Sequence, residues 1–295
     1  EAGGASVVLL NEGISRSPAF AFNSLEELGR FVAWFLGVRA EIKAAAERTT
    51  RFGRLIDMQI CVEGNHLYLI LAFTTGDAAG QNMASIATEA AVAWILANTP
   101  VTPRAAYVEA NFSGEKKASA QSLQTVRGKK VTAEVTIPAA LVRSRLHTTV
   151  ERVVDFARFA TLGGIMSGTV GTEGHYANGL AAMFIATGQD AACVAEAAVG
   201  NTRMETTPEG ALYVAVTLPN LVMGTVGGGT KLPSQRACLE MMGMAGPGHA
   251  RALAEIAAAL CLGGEISVVG AICAGEFTRA HARLARGARE QRARA

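Results

Sequence analysis

The stretch "NFSGEKKASAQ", residues 111–121, sets Glu115, Lys116 and Lys117 after a Ser-Gly turn, in a chain with only 18% charged residues. Alone, such a triplet reads as a solvated loop. Further along, "GHYANGLAAMFIATGQD" predicts a helix over 176–187 that stops at Gly188. His175 and Asn178 lie one turn apart at its start, so one ligand can meet both. Asp190 stands just beyond its end, where a carboxylate usually caps the next helix. His281, in "FTRAHARLARG", is the histidine next to the C-terminal basic tail. A lone histidine serves structure at least as readily as catalysis.

Two glycine-rich stretches have the composition of anion cradles. In "TTGDAAGQNM", residues 74–83, a strand ends and a helix begins, and small residues let a ligand approach free backbone N–H groups. A plain helix cap by Asp77 explains the same residues. "GTVGGGT", residues 224–230, offers amides without side chains before a predicted helix, 232–242. It suits a pyrophosphate or a nicotinamide, and equally a tight turn. In "TTRFGRL", Arg51 and Arg54 have the charge and planar shape to grip the extra phosphate of NADP, or are simply exposed arginines.

The elements that must position these residues follow from periodicity. A strand is predicted over 6–10, then a helix from Leu25, with Ser24 and Glu27 in a capping-box pattern and Leu25, Leu28, Phe31, Val32 and Phe35 on one face. "LIDMQICV" and "LYLILAF" flank the turn "EGNH" as a hairpin, and a helix near 79–96 and a strand near 105–108 come next. That order predicts a small α+β unit with helices on one face of an antiparallel sheet. From Val131 onward a strand leads into mostly helical, Ala- and Gly-rich sequence, with one further strand at 211–216.

Composition narrows the classes. With 295 residues, half of them hydrophobic, the chain can bury a large core. A net charge of +2 and the lack of any aromatic-interleaved basic stripe before the last residues argue against nucleic acid; the tail itself reads as a frayed basic helix. Five cysteines without a C-x-x-C pair fit a reducing cytoplasm and no metal site. The apolar runs are broken within a dozen residues, so no transmembrane segment is expected. The chain begins with Glu1 rather than Met, so further sequence is expected upstream.

Taken in order, "TRFGRL", "GDAAGQNM", "NFSGEKKA", "GHYAN", "FIATGQD", "MGTVGGGTKLPSQRACL" and "AGEFTRAHARLARG" resemble the hydroxymethylglutaryl-coenzyme A reductases of the class shared by eukaryotes and archaea. The resemblance covers nearly the whole chain and is most specific at "ATGQD" and at "GTVGGGT". It implies an α+β fold in which a mostly helical large domain (1–19 and 106–295) carries an inserted small ferredoxin-like cofactor-binding domain (20–105). It also implies NADPH-dependent reduction of an acyl-CoA thioester to mevalonate by two hydride transfers, in a homodimer whose active site is shared between subunits.

By the same resemblance Lys116 matches the oxyanion-stabilising lysine, Asp190 the aspartate that tunes it, and His281 the histidine that protonates the departing thiolate. Arg16, Lys117 and Asn178 match positions around the substrate carboxylate and reacting end, with Arg158 where a lysine is usual. Arg51, Asp77, Gly80, Asn82, Met83, Val226, Gly227 and Gly228 match the nucleotide site. The chemistry is consistent: an ammonium stabilises the oxygen made negative by hydride addition, a carboxylate keeps that ammonium protonated, and an imidazole protonates a thiolate.

Besides Arg158, the chain departs from the family pattern in four places. Nothing in it matches the family's catalytic glutamate, which lies upstream of the first strand. Glu109 stands where a substrate-contacting serine is common. Glu276 and Phe277 replace the usual residues of "AGHL", and "AGQNM" those of "MGMNM". Two other readings follow from these departures: a reductase of a different acyl thioester, and a catalytically weak homologue that binds nucleotide or CoA.

Overall fold

The computed structural model describes residues 1–279. His281 and the basic tail lie outside the described residues. The chain runs β1 (Ser6–Arg16), β2 (Ala19–Ala21), α1 (Leu25–Gly37), α2 (Arg39–Glu47), β3 (Leu55–Glu63), β4 (His66–Phe73), α3 (Gln81–Asn98), β5 (Ala105–Tyr107), β6 (Gly128–Ile137) and α4 (Ala139–Leu146). It continues through α5 (Val150–Ser167), α6 (Tyr176–Thr187), α7 (Val194–Ala197), β7 (Asn201–Thr206), β8 (Leu212–Leu221), α8 (Pro233–Met241) and α9 (Ala250–Cys273).

All eight strands belong to one antiparallel sheet of order β5-β2-β4-β1-β6-β8-β7, with β3 added beside β4. The first strand is longer than its apolar run suggests and serves two neighbours. Residues 6–13 pair with β6 across a bulge between Leu9 and Asn11, whereas Ile14–Arg16 pair with β4. A bulge bends and twists a strand, and here it falls within the stretch that pairs with β6. Pro18, which has no N–H to donate, ends the run.

The expected helix from Leu25, the hairpin, the helix near 79–96 and the strand near 105–108 are all present, with α2 an addition that the sequence pattern did not show. The alternation in "HLYLILAF" buries Leu67, Leu69, Leu71 and Phe73 on one face. Against them pack Phe20, Phe22, Phe31 and Phe35, whose rings contact one another. Ser24 caps α1 by accepting from the Glu27 N–H at 3.2 Å, and the Glu27 carboxylate reaches back to the N–H of Asn23 at 2.9 Å.

Helices α5, α7 and α9 pack on β1, β6, β8 and β7. β7 was not legible in the sequence because "NTRMET" buries only Met204. Along the centre lies α9, whose Ala254, Ala257, Ala258 and Cys261 are fully buried and contact β6, β8 and α6. Its 24 residues are by length and composition enough to cross a bilayer, contrary to the expectation from its broken apolar runs. In the fold one face of the helix packs inward, and 44% of its most apolar stretch is buried.

Candidate active site

Three loops from distant parts of the chain wall a cavity of ≈440 Å³: Ala78–Met83 before and at the start of α3, Gly188–Asp190 after α6, and Gly224 with Val226–Thr230 after β8. Backbone contact holds them together. Gln189 both donates to the Gly224 carbonyl (2.9 Å) and accepts from its N–H (2.8 Å). A side chain at Gly224 would meet Ala79 N and Asp77 O at 2.5 Å, so only glycine permits this approach. The first turn of α3 faces the cavity with no side-chain cap; its N-cap is Gly80, at φ +84°. Uncapped N–H groups at the end of an 18-residue helix, beside a glycine loop, suit an anionic phosphate group. Gly80, Asn82, Met83, Val226, Gly227 and Gly228 all line this cavity.

Asp77 is placed otherwise than a cap for the helix that follows it in sequence. Its carboxylate accepts from the N–H groups of Gly248 (2.8 Å) and Ala250 (3.1 Å) at the start of α9, while its carbonyl accepts from Thr225 N (2.8 Å). Burial pulls this carboxyl upward, but the two amides outweigh it and hold the group below the usual aspartate range. Beneath the same loop Lys129, 1% exposed, donates to the Met223 carbonyl at 3.2 Å, and burial lowers its pKa. Arg51 is exposed on the turn before β3. Gly53, two residues on, packs against Met83, so that turn borders the cavity.

At the mouth, the Lys116 ammonium lies 3.0 Å from Asp190, which also lines the cavity. Asp190 caps the turn Ala191–Cys193 by accepting from Ala192 N at 3.0 Å. The hydrogen bond to Asp190 raises the Lys116 pKa against the smaller effect of burial. Burial raises Asp190, yet the bonds from Lys116 and Ala192 prevail and lower it. Both shifts favour a charged pair, so the lysine keeps its proton. Lys116 has a left-handed backbone, φ +58°, which for a residue other than glycine costs about 1–2 kcal/mol. Its N–H donates to the buried Glu196 at 3.1 Å, and Glu196 in turn pairs with buried Arg127 at 2.7 Å. Neither Glu196 nor Arg127 was singled out from the sequence; Glu196 leaves one sign, a lone charge in the apolar run "CVAEAAVG", and Arg127, in "TVRGKK", leaves none.

Arg16, at the end of β1, is 9% exposed and tied on all sides. It pairs with Glu115, lies 3.7 Å from Glu109, and donates to Ser85 Oγ at 2.9 Å. Glu109 also accepts from Ser17 N and from Ser113 Oγ. Lys117 is exposed and donates to the Glu115 carbonyl at 2.9 Å.

A family model described as hydroxymethylglutaryl-coenzyme A reductase matches residues 1–286. The chain is 40% identical to a 3-hydroxy-3-methylglutaryl-coenzyme A reductase of the archaeon Methanothermobacter thermautotrophicus over 97% of its own length and 72% of that relative. The chain belongs to the hydroxymethylglutaryl-coenzyme A reductase family. It is also 40% identical to the enzyme of that name from the fungus Fusarium fujikuroi, of which it spans 31%. The fold is shared with a solved class II 3-hydroxy-3-methylglutaryl-CoA reductase of Streptococcus pneumoniae, at TM-score 0.71 and 18% identity over 92% of this chain and 74% of that one.

Two positions that the family resemblance singles out lie elsewhere in the protomer. Asn178 and Arg158 are exposed, on the first turn of α6 and on α5. The 12 residues of α6, about 18 Å of helix, separate Asn178's end from Asp190's. Near that far end a second cavity, ≈250 Å³, is lined by Phe156, Glu173, Glu265 and Met204 among others. Glu265, 2% exposed, accepts from Gly174 N at 2.8 Å. Burial pushes the Glu173 carboxyl up to about 7. Sequence reasoning passed over both acids because neither has a spacing that announces burial.

Proposed function

We propose that this chain reduces 3-hydroxy-3-methylglutaryl-CoA with two equivalents of NADPH, giving mevalonate and CoA. The observation that carries the reading is the charged Lys116–Asp190 pair at the mouth of a cavity walled by glycine loops and an uncapped helix start. NADPH, when bound, supplies the hydride. Gly80, Asn82, Met83 and Val226–Gly228 hold its phosphates and nicotinamide through backbone amides, Asp77 fixes the loops that present them, and Arg51 meets the extra phosphate.

Lys116 donates a hydrogen bond to the thioester oxygen as it becomes negative, and Asp190 keeps that ammonium charged without taking its proton. His281, which the family resemblance assigns to the thiolate, gives the leaving sulfur its proton. Arg16, Lys117, Arg158 and Asn178 contact the acyl group.

The separation of Asn178 and Arg158 from Lys116 supports a site completed between two copies of the chain. So does an apolar stripe on α5, where Phe159, Leu162, Ile165 and Met166 are 72%, 57%, 71% and 78% exposed. The strand order β5-β2-β4-β3 around a strand–helix–hairpin–helix–strand unit supports a ferredoxin-like cofactor domain over 20–105, inserted in a large domain of 1–19 and 106–295. A cytoplasmic location belongs to the same reading, supported by five free cysteines.

A second reading, reduction of another acyl thioester, is favoured by one observation: Arg16 already faces two carboxylates, leaving less free positive charge for a dicarboxylic acyl group. Following NADPH absorbance with 3-hydroxy-3-methylglutaryl-CoA tests the proposal in the full-length protein. Oxidation is expected; none with this substrate but turnover of a neutral acyl-CoA moves the assignment to the second reading. Lys116→Ala should cut hydride transfer by at least about 10²–10³-fold while NADPH still binds.

A further inference from the structure

The two acids that grip Lys116 come from one short segment. Asp190 takes its ammonium, and Glu196, six residues on in α7, takes its backbone N–H through Oε1. Glu196 is fully buried, and its other oxygen accepts from Arg127 Nε at 2.7 Å. Arg127, 2% exposed, is anchored in turn: its backbone N–H donates to Asn220 Oδ1 at 2.9 Å and its guanidinium to the carbonyl of Ser15. The lysine loop is thereby tied to β8 and to the strand that ends in Arg16.

We infer that Glu196, held by Arg127, is a positioning residue that locks the Lys116 backbone in its left-handed conformation and so aims the ammonium at Asp190. This rests on the catalytic role proposed for Lys116. The physical reason is that a left-handed lysine persists only where its surroundings over-determine it. Among the described residues the Lys116 N–H has Glu196 as its acceptor. Removing that acceptor frees the peptide to relax, and the ammonium then leaves Asp190.

Deleting one member of a buried pair leaves the other uncompensated and endangers the fold, so the test removes the pair in two ways. Arg127→Met with Glu196→Gln keeps an oxygen for the Lys116 N–H; Arg127→Met with Glu196→Leu does not. Titration of Lys116 in full-length protein with dimethylated lysines, read by NMR of the added methyls and assigned with Lys116→Arg, needs no turnover. In the parent protein Asp190, Cys193 and Glu115 act on the ammonium, and both variants retain these residues. The Gln variant should titrate higher than the Leu variant, and hydride transfer in a single turnover should be at least about tenfold faster in it. Identical Lys116 titration in the two variants would overturn the inference, whatever the rates. If the parent protein fails to oxidise NADPH, the proposed function falls while the titration still decides the positioning role.

Discussion

At the scale of residues, the Lys116–Asp190 pair sets how activity responds to pH. Asp190 raises the lysine's pKa and is itself lowered by it, so the pair is intact across neutral pH and the alkaline limb reports loss of the Lys116 proton. Asp190→Asn removes the negative partner and lets the lysine fall toward its ordinary value. The alkaline limb of the kcat profile should therefore move to lower pH, with NADPH affinity little changed; a limb that stays in place would show that Lys116 is not the titrating group. Both residues were singled out in the sequence only through the family resemblance, since "GEKKA" alone reads as a solvated loop and Asp190 as a cap. Glu196 and Arg127 were not, because a buried ion pair between residues 69 apart in sequence has no periodic signature.

At the scale of elements, the glycine loops depend on an aspartate that serves a helix far along the chain. Asp77 closes the α9 N-terminus with two hydrogen bonds and holds the 224–226 backbone with its carbonyl. Asp77→Ala should cost about 1–2 kcal/mol through the lost cap, seen as a fall of a few degrees in Tm. It should also raise the dissociation constant for NADPH, because the 77–80 loop loses its side-chain tether to the start of α9 while keeping the main-chain bond to Thr225. A variant that melts earlier but binds NADPH as before would confine Asp77 to α9. The sequence correctly marks Asp77 as a capping residue but cannot say which helix it caps; propensity is local, and the partner here is more than 170 residues away.

At the scale of the whole molecule, the exposed α5 stripe and the cavity behind it bear on assembly and stability. Ile165→Glu puts a charge into the middle of the stripe. If two copies meet there, the dimer dissociation constant should rise at least about 100-fold, read by sedimentation, and activity should fall with dissociation. An unchanged mass would remove α5 from the interface. Glu173 gives a pH test in the second cavity. Burial pushes it to about 7, above the ordinary glutamate value of 4.5, so the folded state binds the extra proton between those values. Stability should accordingly decline as pH rises from about 4.5 through about 7. Glu173→Gln should flatten the dependence of Tm on pH over that window, and an unaltered slope would mean that another group titrates there.

Local pattern settled much of this protein from the sequence alone. The capped α1, the β3–β4 hairpin and the bounds of α6 all follow from spacing, caps and glycine stops, which act over a few residues, whereas Lys116 and Asp190 stood out only through the family resemblance. Tertiary structure alone decided the rest: that β1 pairs with both β4 and β6, that α9 packs against the sheet, that Asp77 caps α9, and that Glu196 and Arg127 lie beneath the lysine. Each of these is a contact between segments far apart in the chain. Such contacts are selected by packing and by the need to satisfy buried polar groups, and neither leaves a local mark in the order of residues.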